Sequence, residues 1–425
     1  MEFFNLFQTN SLFDEEMIAN CFYYLYGCIS IPERQKGVDL VDSNYSTLKS
    51  YYQSDKGLSF LFAFYYRRVN EGIRSKRIEN MNSADRVMES DFSNEVSRTY
   101  KDIEKNKNQY KPTLYIYLCL LFRNLKRGSG NDLYFADAFR NVNSSLLKAI
   151  IYYAKAELFH PSGAQYNTFE KYSYEYISNL TKAVELYPDF SLCLNDLAIA
   201  YSQGIGTKID MNKANQYSER ALVLGNAFAI YNEGVKFYRE GKYCKSAYYF
   251  IKYMDLCGEN ENDSRVIISI HRKLEASANP FDLVHLVLIL RLLSNLIGMK
   301  NVCGSIIDLL YQRPKLLRLV ESVIKNPDKI SVFDLDGIVN SNVVARTRHD
   351  VYATKELFEG YLNSKYHGYG HYDERESSFL DELFSPLSFE DFFATVDMYD
   401  RAVKSIGTSR VAETANMDAW YPMTE

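Results

Sequence analysis

The 425-residue chain has one tryptophan, Trp420, nine prolines, and no Cys-x-x-Cys pair among its seven cysteines. So few prolines leave long segments free to be helical, because proline removes a backbone donor and breaks helix interiors. Cys21, Cys28, Cys119, Cys193, Cys244, Cys257 and Cys303 are odd in number and scattered. That spacing argues against a zinc knuckle or a redox dithiol. Most of them fall in apolar helical patterns, where a free thiol behaves as a small hydrophobe. A reducing, cytoplasmic location is therefore expected. Positive charge is also not in excess. The formal net charge is −5, which supplies no global field to hold a polyanion, so no nucleic-acid partner is expected. The first twenty residues, MEFFNLFQTNSLFDEEMIAN, have no basic n-region and do not read as a signal peptide. The most apolar window, 281–299, is interrupted by Asp282, His285, Arg291 and Asn295. Charges near a bilayer midplane are costly, and the run barely reaches spanning length. It reads as a buried helix, and no membrane partner is expected.

What the chain does have is aromatic side chains, 36 Tyr and 26 Phe, in a composition that is 47% hydrophobic and 24% charged. The charged and apolar fractions are those of a folded protein. Apolar residues recur at helical spacing over 15–29, 40–52 (with Asp39 or Asp42 as possible caps), 57–72, 112–125, 133–139, 144–158 and 168–186. Further helices are predicted at 265–275, 281–299, 302–311, 314–325, 353–363 and 389–406. Three regions follow: an N-terminal helical region at 1–111, a helical repeat region at 112–328, and a divergent C-terminal region of helix and loop at 329–425.

The most informative stretch is 194–227, LNDLAIAYSQGIGTKIDMNKANQYSERALVLGNA. Leu194, Leu197, Ala198 and Tyr201 share one helix face. Gly204 and Gly206 make a turn, Asp210 is placed to cap the next helix, and Gly225 ends it. Leu194, Ala198 and Tyr201 return 36 residues later as Ile230, Gly234 and Phe237, and Gly241 makes the second turn. Self-similarity at a fixed period marks a unit that cannot bury its face alone and must stack.

Residues 198–227 resemble the Sel-one-like repeat, the short relative of the tetratricopeptide repeat. The resemblance rests on Ala198, Tyr201, Gly204 and Gly206, on Asp210, Lys213 and Ala214, and on Tyr217 and Ala221. The next unit matches tetratricopeptide spacing through Gly234, Phe237, Gly241 and Tyr243. It departs at Glu233, where a large apolar residue is usual, and at Ser246, where alanine is usual. The well-covered repeats span about 171–258. The resemblance implies an all-α fold, an α-α superhelical solenoid of stacked helix pairs. It also implies a non-enzymatic scaffold or adaptor that binds a protein or peptide in its concave face. By tetratricopeptide register the partner-binding positions are Asn195, Ser202, Gln203, Tyr231, Tyr238 and Arg239. No catalytic residue, metal or cofactor is expected.

Three other motifs carry alternatives. Asp334-Leu335-Asp336-Gly337 resembles the first motif of haloacid-dehalogenase-type phosphotransferases, whose two aspartates act as nucleophile and acid/base beside magnesium. Ile338 stands where Thr or Val is expected, and only about 88 residues follow, too few for the remaining parallel strands. A turn is the expected structure there. His367-Gly-Tyr-Gly-His371, with Asp373 and Glu374 behind it, lacks the regular helix that i, i+4 metal ligands need, and reads as a polar loop. Arg74, Lys76 and Arg77 would serve a regulator with nucleic-acid contact. Glu71, Glu79 and Asp85 dilute that cluster into a solvated helix end.

Overall fold

Ser30 shows how local chemistry sets element boundaries in the computed structural model of this chain, which describes residues 12–52, 57–74, 83–105, 143–160, 169–258, 261–277, 280–311, 314–325, 327, 358, 360–361, 363–365 and 377–413. The Ser30 hydroxyl accepts from the Glu33 backbone amide at 3.4 Å and donates to the Glu33 carboxylate at 2.6 Å. This pairing fixes the first turn of a helix that carries Pro32 where its missing N–H costs nothing. The helix is Ile31–Ser43 (α2), following Leu12–Phe22 (α1) and a π-helical turn at Tyr23–Gly27. The pattern at 40–52 therefore belongs to two helices, α2 and Tyr45–Tyr52 (α3), with Asn44 between them. Asp39 and Asp42 do not act as caps, because the Ser-x-x-Glu signal upstream starts the helix earlier. Asp42 instead accepts a hydrogen bond from Tyr65.

Among the described residues every regular element is helical. The helices that follow are Gly57–Arg74 (α4), Ser83–Lys105 (α5), Ser145–Leu158 (α6), Phe169–Leu186 (α7), Ser191–Gln203 (α8), Met211–Val223 (α9) and Ala227–Arg239 (α10). Then come Tyr243–Cys257 (α11), Glu261–Ser277 (α12), Pro280–Ile297 (α13), Met299–Tyr311 (α14), Pro314–Lys325 (α15), Ser377–Leu383 (α16) and Phe389–Glu413 (α17). The window 281–299 splits at Gly298 into α13 and α14. No helix of the described residues is long and apolar enough to cross a membrane.

The chain divides by its backbone contacts into two units, Met1–Ala229 and Ile230–Glu425, and the boundary falls inside the 112–328 region. In the first unit α6 packs on α7, α7 on α8, and α8 on α9. Its core absorbs much of the aromatic content. Phe190, 1% exposed, meets Tyr23 and Tyr153 at 5.3 Å each. Phe62, Tyr66 and Phe92 form a second stack, with the Tyr66 hydroxyl 2.7 Å from that of Tyr45. Such pairs are worth about 0.5–1.5 kcal/mol each beyond the area they bury. In the second unit α11, α12 and α13 pack mutually, α14 packs on α13, and the core is aliphatic along α13 and α14. The fold is thus all-α, built of adjacent helix pairs.

Asp210 caps α9 as its position predicts: its carboxylate accepts from the Lys213 amide at 3.0 Å. The position is partly exposed, so Asp210→Ala is expected to cost about 1 kcal/mol. Chemical denaturation read by far-UV circular dichroism checks this, and an unchanged midpoint would show the cap to be dispensable.

Candidate functional site

The repeat pair is best read from the two rings at its centre. In the first copy, Tyr201 of α8 stacks on Tyr217 of α9 at 5.7 Å and 19°, and Lys213 Nζ lies 5.1 Å from the Tyr201 ring centroid. In the second, Phe237 of α10 stacks on Tyr249 of α11 at 5.5 Å and 17°, with Lys236 and Lys242 at 5.6 and 5.7 Å. A cation over an aromatic face is attracted by the ring quadrupole, so each repeat closes its helix pair with the same device. Burial pushes the Tyr217 and Tyr249 hydroxyls above the ordinary tyrosine range. The second rings fall short of the 36-residue period because the turn at Gly241 is shorter than the one at 204–210.

The small residue beside each ring also has a visible role. Gly234 is buried, and a Cβ there would come within 3.3 Å of three atoms of the Phe250 ring. The Ser246 hydroxyl donates to the Gly234 carbonyl at 2.8 Å, in a buried position. That bond accounts for serine where the repeat usually has alanine. Glu233, the other departure, faces Lys236 at 3.1 Å.

The six positions proposed from register fall in equivalent places of α8 and α10 but differ in exposure. Gln203 and Arg239, the last residues of their helices, are exposed. Ser202 is half-buried and donates to the Ile199 carbonyl at 2.9 Å. Tyr231 is half-buried and packs edge-on against Phe250 and Tyr253 at 5.3 and 5.2 Å. Tyr238 has its hydroxyl 3.2 Å from Ser269 Oγ on α12 and carries Lys273 Nζ 5.1 Å from its ring centroid. Asn195 is 5% exposed, and its amide donates to Asp196 at 3.2 Å. Register places the six residues at equivalent helix positions, but their burial depends on what the neighbouring helices cover. Asn195, Ser202 and Gln203 belong to the first unit, and Tyr231, Tyr238 and Arg239 to the second.

Sequence reasoning passed over two features nearby. A 570 Å³ cleft opens on the 204–210 turn, lined by Tyr201, Thr207, Lys208, Ile209, Asp210 and Lys213 among others. Ile209 and Met211 stand 66% and 54% exposed beside it. The other is Asn226, buried, which caps α10 by accepting from the Ala229 amide at 3.0 Å and donates to Ser191 Oγ at 3.3 Å. The Gly225-Asn226-Ala227 string was its signal, since asparagine after a helix-ending glycine is a cap for the next helix. Asp334, Asp336, His367, His371, Lys76 and Arg77 lie outside the described residues.

No protein-family model matches the chain, and no solved structure matches it. A 61-residue segment is 43% identical to the putative sel1-like repeat-containing protein L21 of Acanthamoeba polyphaga mimivirus. The match covers 14% of this chain and 11% of that relative's length. Over a segment, then, the chain is similar to a sel1-like repeat protein, and it presents that similarity in a fold of packed helix pairs.

Proposed function

We propose that the chain is a non-enzymatic helical-repeat scaffold, binding a protein or peptide along the faces of its first helices. The observation that supports this reading is the recurrence of exposed, polar ends on equivalent helices, Gln203 on α8 and Arg239 on α10, above closed and well-packed ring stacks. The stacks hold each helix pair rigid, so little ordering entropy is lost when a partner docks. Arginine and tyrosine are among the side chains most enriched as anchors of such contacts.

Tyr231 and Tyr238 carry packing as well as surface, so they make poor first probes. Gln203→Ala and Arg239→Ala leave the described core untouched. Affinity capture of partners by the wild type and by the double variant, quantified by mass spectrometry, is expected to show recovery falling about fivefold or more. Equal recovery from a variant with unchanged circular dichroism would remove these faces as the binding surface.

A further inference from the structure

Helix α17 is held to α11 by a stacked ring pair like those of the repeats, and hydrogen bonds to α13 flank it. Phe389, Phe392, Val396, Tyr399 and Val403 recur in steps of three and four, the spacing of a helix with one apolar face. Phe392, Val396 and Tyr399 are buried, and Phe389 and Val403 pack at the margin. Phe392 stacks on Tyr248 of α11 at 5.8 Å and 14°, and Phe389 and Phe393 meet the same ring at 5.8 and 5.4 Å. On α13, Arg291 donates to the Ser385 carbonyl at 3.2 Å and Asn295 to the Leu387 carbonyl at 2.7 Å, while the Leu387 amide donates to the Arg291 carbonyl at 3.2 Å. His285 Nε2 lies 2.9 Å from Asp400 Oδ1.

Two properties set this contact apart. First, the grip of α13 on 385–387 is mostly to main chain, which any turn leading into a helix presents. Second, the buried face carries a penalty at its centre. The Tyr399 hydroxyl is buried without a hydrogen-bond partner among the described residues, and burying an unsatisfied hydroxyl is costly. Lys245 and Lys252 of α11 stand 5.8 and 5.6 Å from the rings of Phe393 and Tyr248, while α17 carries charges of both signs and pairs Asp397 with its own Arg401 at 3.2 Å.

We infer that the groove between α11 and α13 is a helix-binding surface that α17 occupies in cis, and that an amphipathic partner helix with aromatic anchors at this spacing displaces it. The surface involves none of the residues proposed above. Cys244 reports on its opening. This thiol of α11 is buried, 6% exposed, and Cys303 of α14, 2% exposed, is the buried reference in the same unit.

Maleimide labelling of the native full chain, read peptide by peptide by mass spectrometry, tests the inference. Local release of α17 is expected to label Cys244 about tenfold or more faster than Cys303. Tyr399→Phe, which removes the unsatisfied hydroxyl, slows Cys244 roughly five- to thirty-fold and leaves Cys303 unchanged. Phe392→Ala accelerates Cys244 alone. A fluorescent peptide of residues 386–404 then binds the full-length Phe392→Ala/Val396→Ala chain about tenfold or more tightly than the wild type. Cys244 and Cys303 reacting in step in the wild type and every variant would make α17 a fixed part of the core and overturn the inference. So would failure of the peptide to bind the double variant while its Cys244 is exposed.

Discussion

Gly206→Ala is expected to destabilise the first unit by about 2–5 kcal/mol. Gly206 sits at φ +66°, in the left-handed region, where a side chain costs about 1–2 kcal/mol. That strain is the smaller part. A Cβ at this position would overlap the Ser173 carbonyl of α7 and lie 2.9 Å from the Tyr174 backbone nitrogen. Backbone cannot rotate away as a side-chain tip does, so the turn or α7 must shift, at a further cost of about 1–3 kcal/mol. The glycine is therefore the point at which one repeat's turn rests on the helix before it. Gly241 supplies the control. It has φ +72°, yet a Cβ there meets nothing within 4 Å, so Gly241→Ala is expected to cost only about 1–2 kcal/mol. Denaturation curves of the two variants should separate clearly. Equal losses would mean that strain alone, and no close approach to α7, selects glycine at 206.

Asn226→Ala is expected to cost about 2–4 kcal/mol, the sum of a lost cap and of buried groups left unpaired. The Asn226 side chain closes a chain of buried hydrogen bonds. Its oxygen holds the Ala229 amide, its amide reaches Ser191 Oγ, and Ser191 Oγ lies 3.2 Å from the Tyr23 hydroxyl. One small network thereby ties the π-helical turn near the N-terminus to the start of α8 and the start of α10. Burial raises the Tyr23 hydroxyl far above the ordinary tyrosine range, with the bond to Ser191 opposing that shift, so it stays neutral at physiological pH. Groups in one network do not contribute independently. The Tyr23→Phe/Asn226→Ala double variant should therefore lose less than the two single variants together. Strict additivity would show that Ser191 does not couple them, and a loss under about 0.5 kcal/mol for Asn226→Ala would place the residue among ordinary surface positions.

Much of the fold was legible because helices are set by neighbours three and four residues away. The spacing of Leu194, Leu197, Ala198 and Tyr201, with glycine behind them, predicts a helix there, and α8 runs Ser191–Gln203 and ends at Gly204. Asp210 announces α9, and Pro314–Lys325 appears as predicted. Where local reading slipped, a local signal had been passed over. Ser30 and Glu33 start α2 ahead of the aspartates that looked like caps. The candidate surface was less legible. Register places Asn195 and Gln203 on one helix, but only the packing of other helices makes the first buried and leaves the second exposed.

By itself the sequence determined the helices, their caps, the 36-residue recurrence and the glycine turns, because each follows from short-range sterics and hydrogen bonding along the chain. Only the tertiary structure decided which polar groups meet. His285 and Asp400 are 115 residues apart, and Arg291 and Ser385 are 94 apart. Nothing in the periodicity of α13 names Asp400 of α17 or Ser385 in the turn before it, since these pairings depend on how the segments pack, and that is settled by burial across the whole unit.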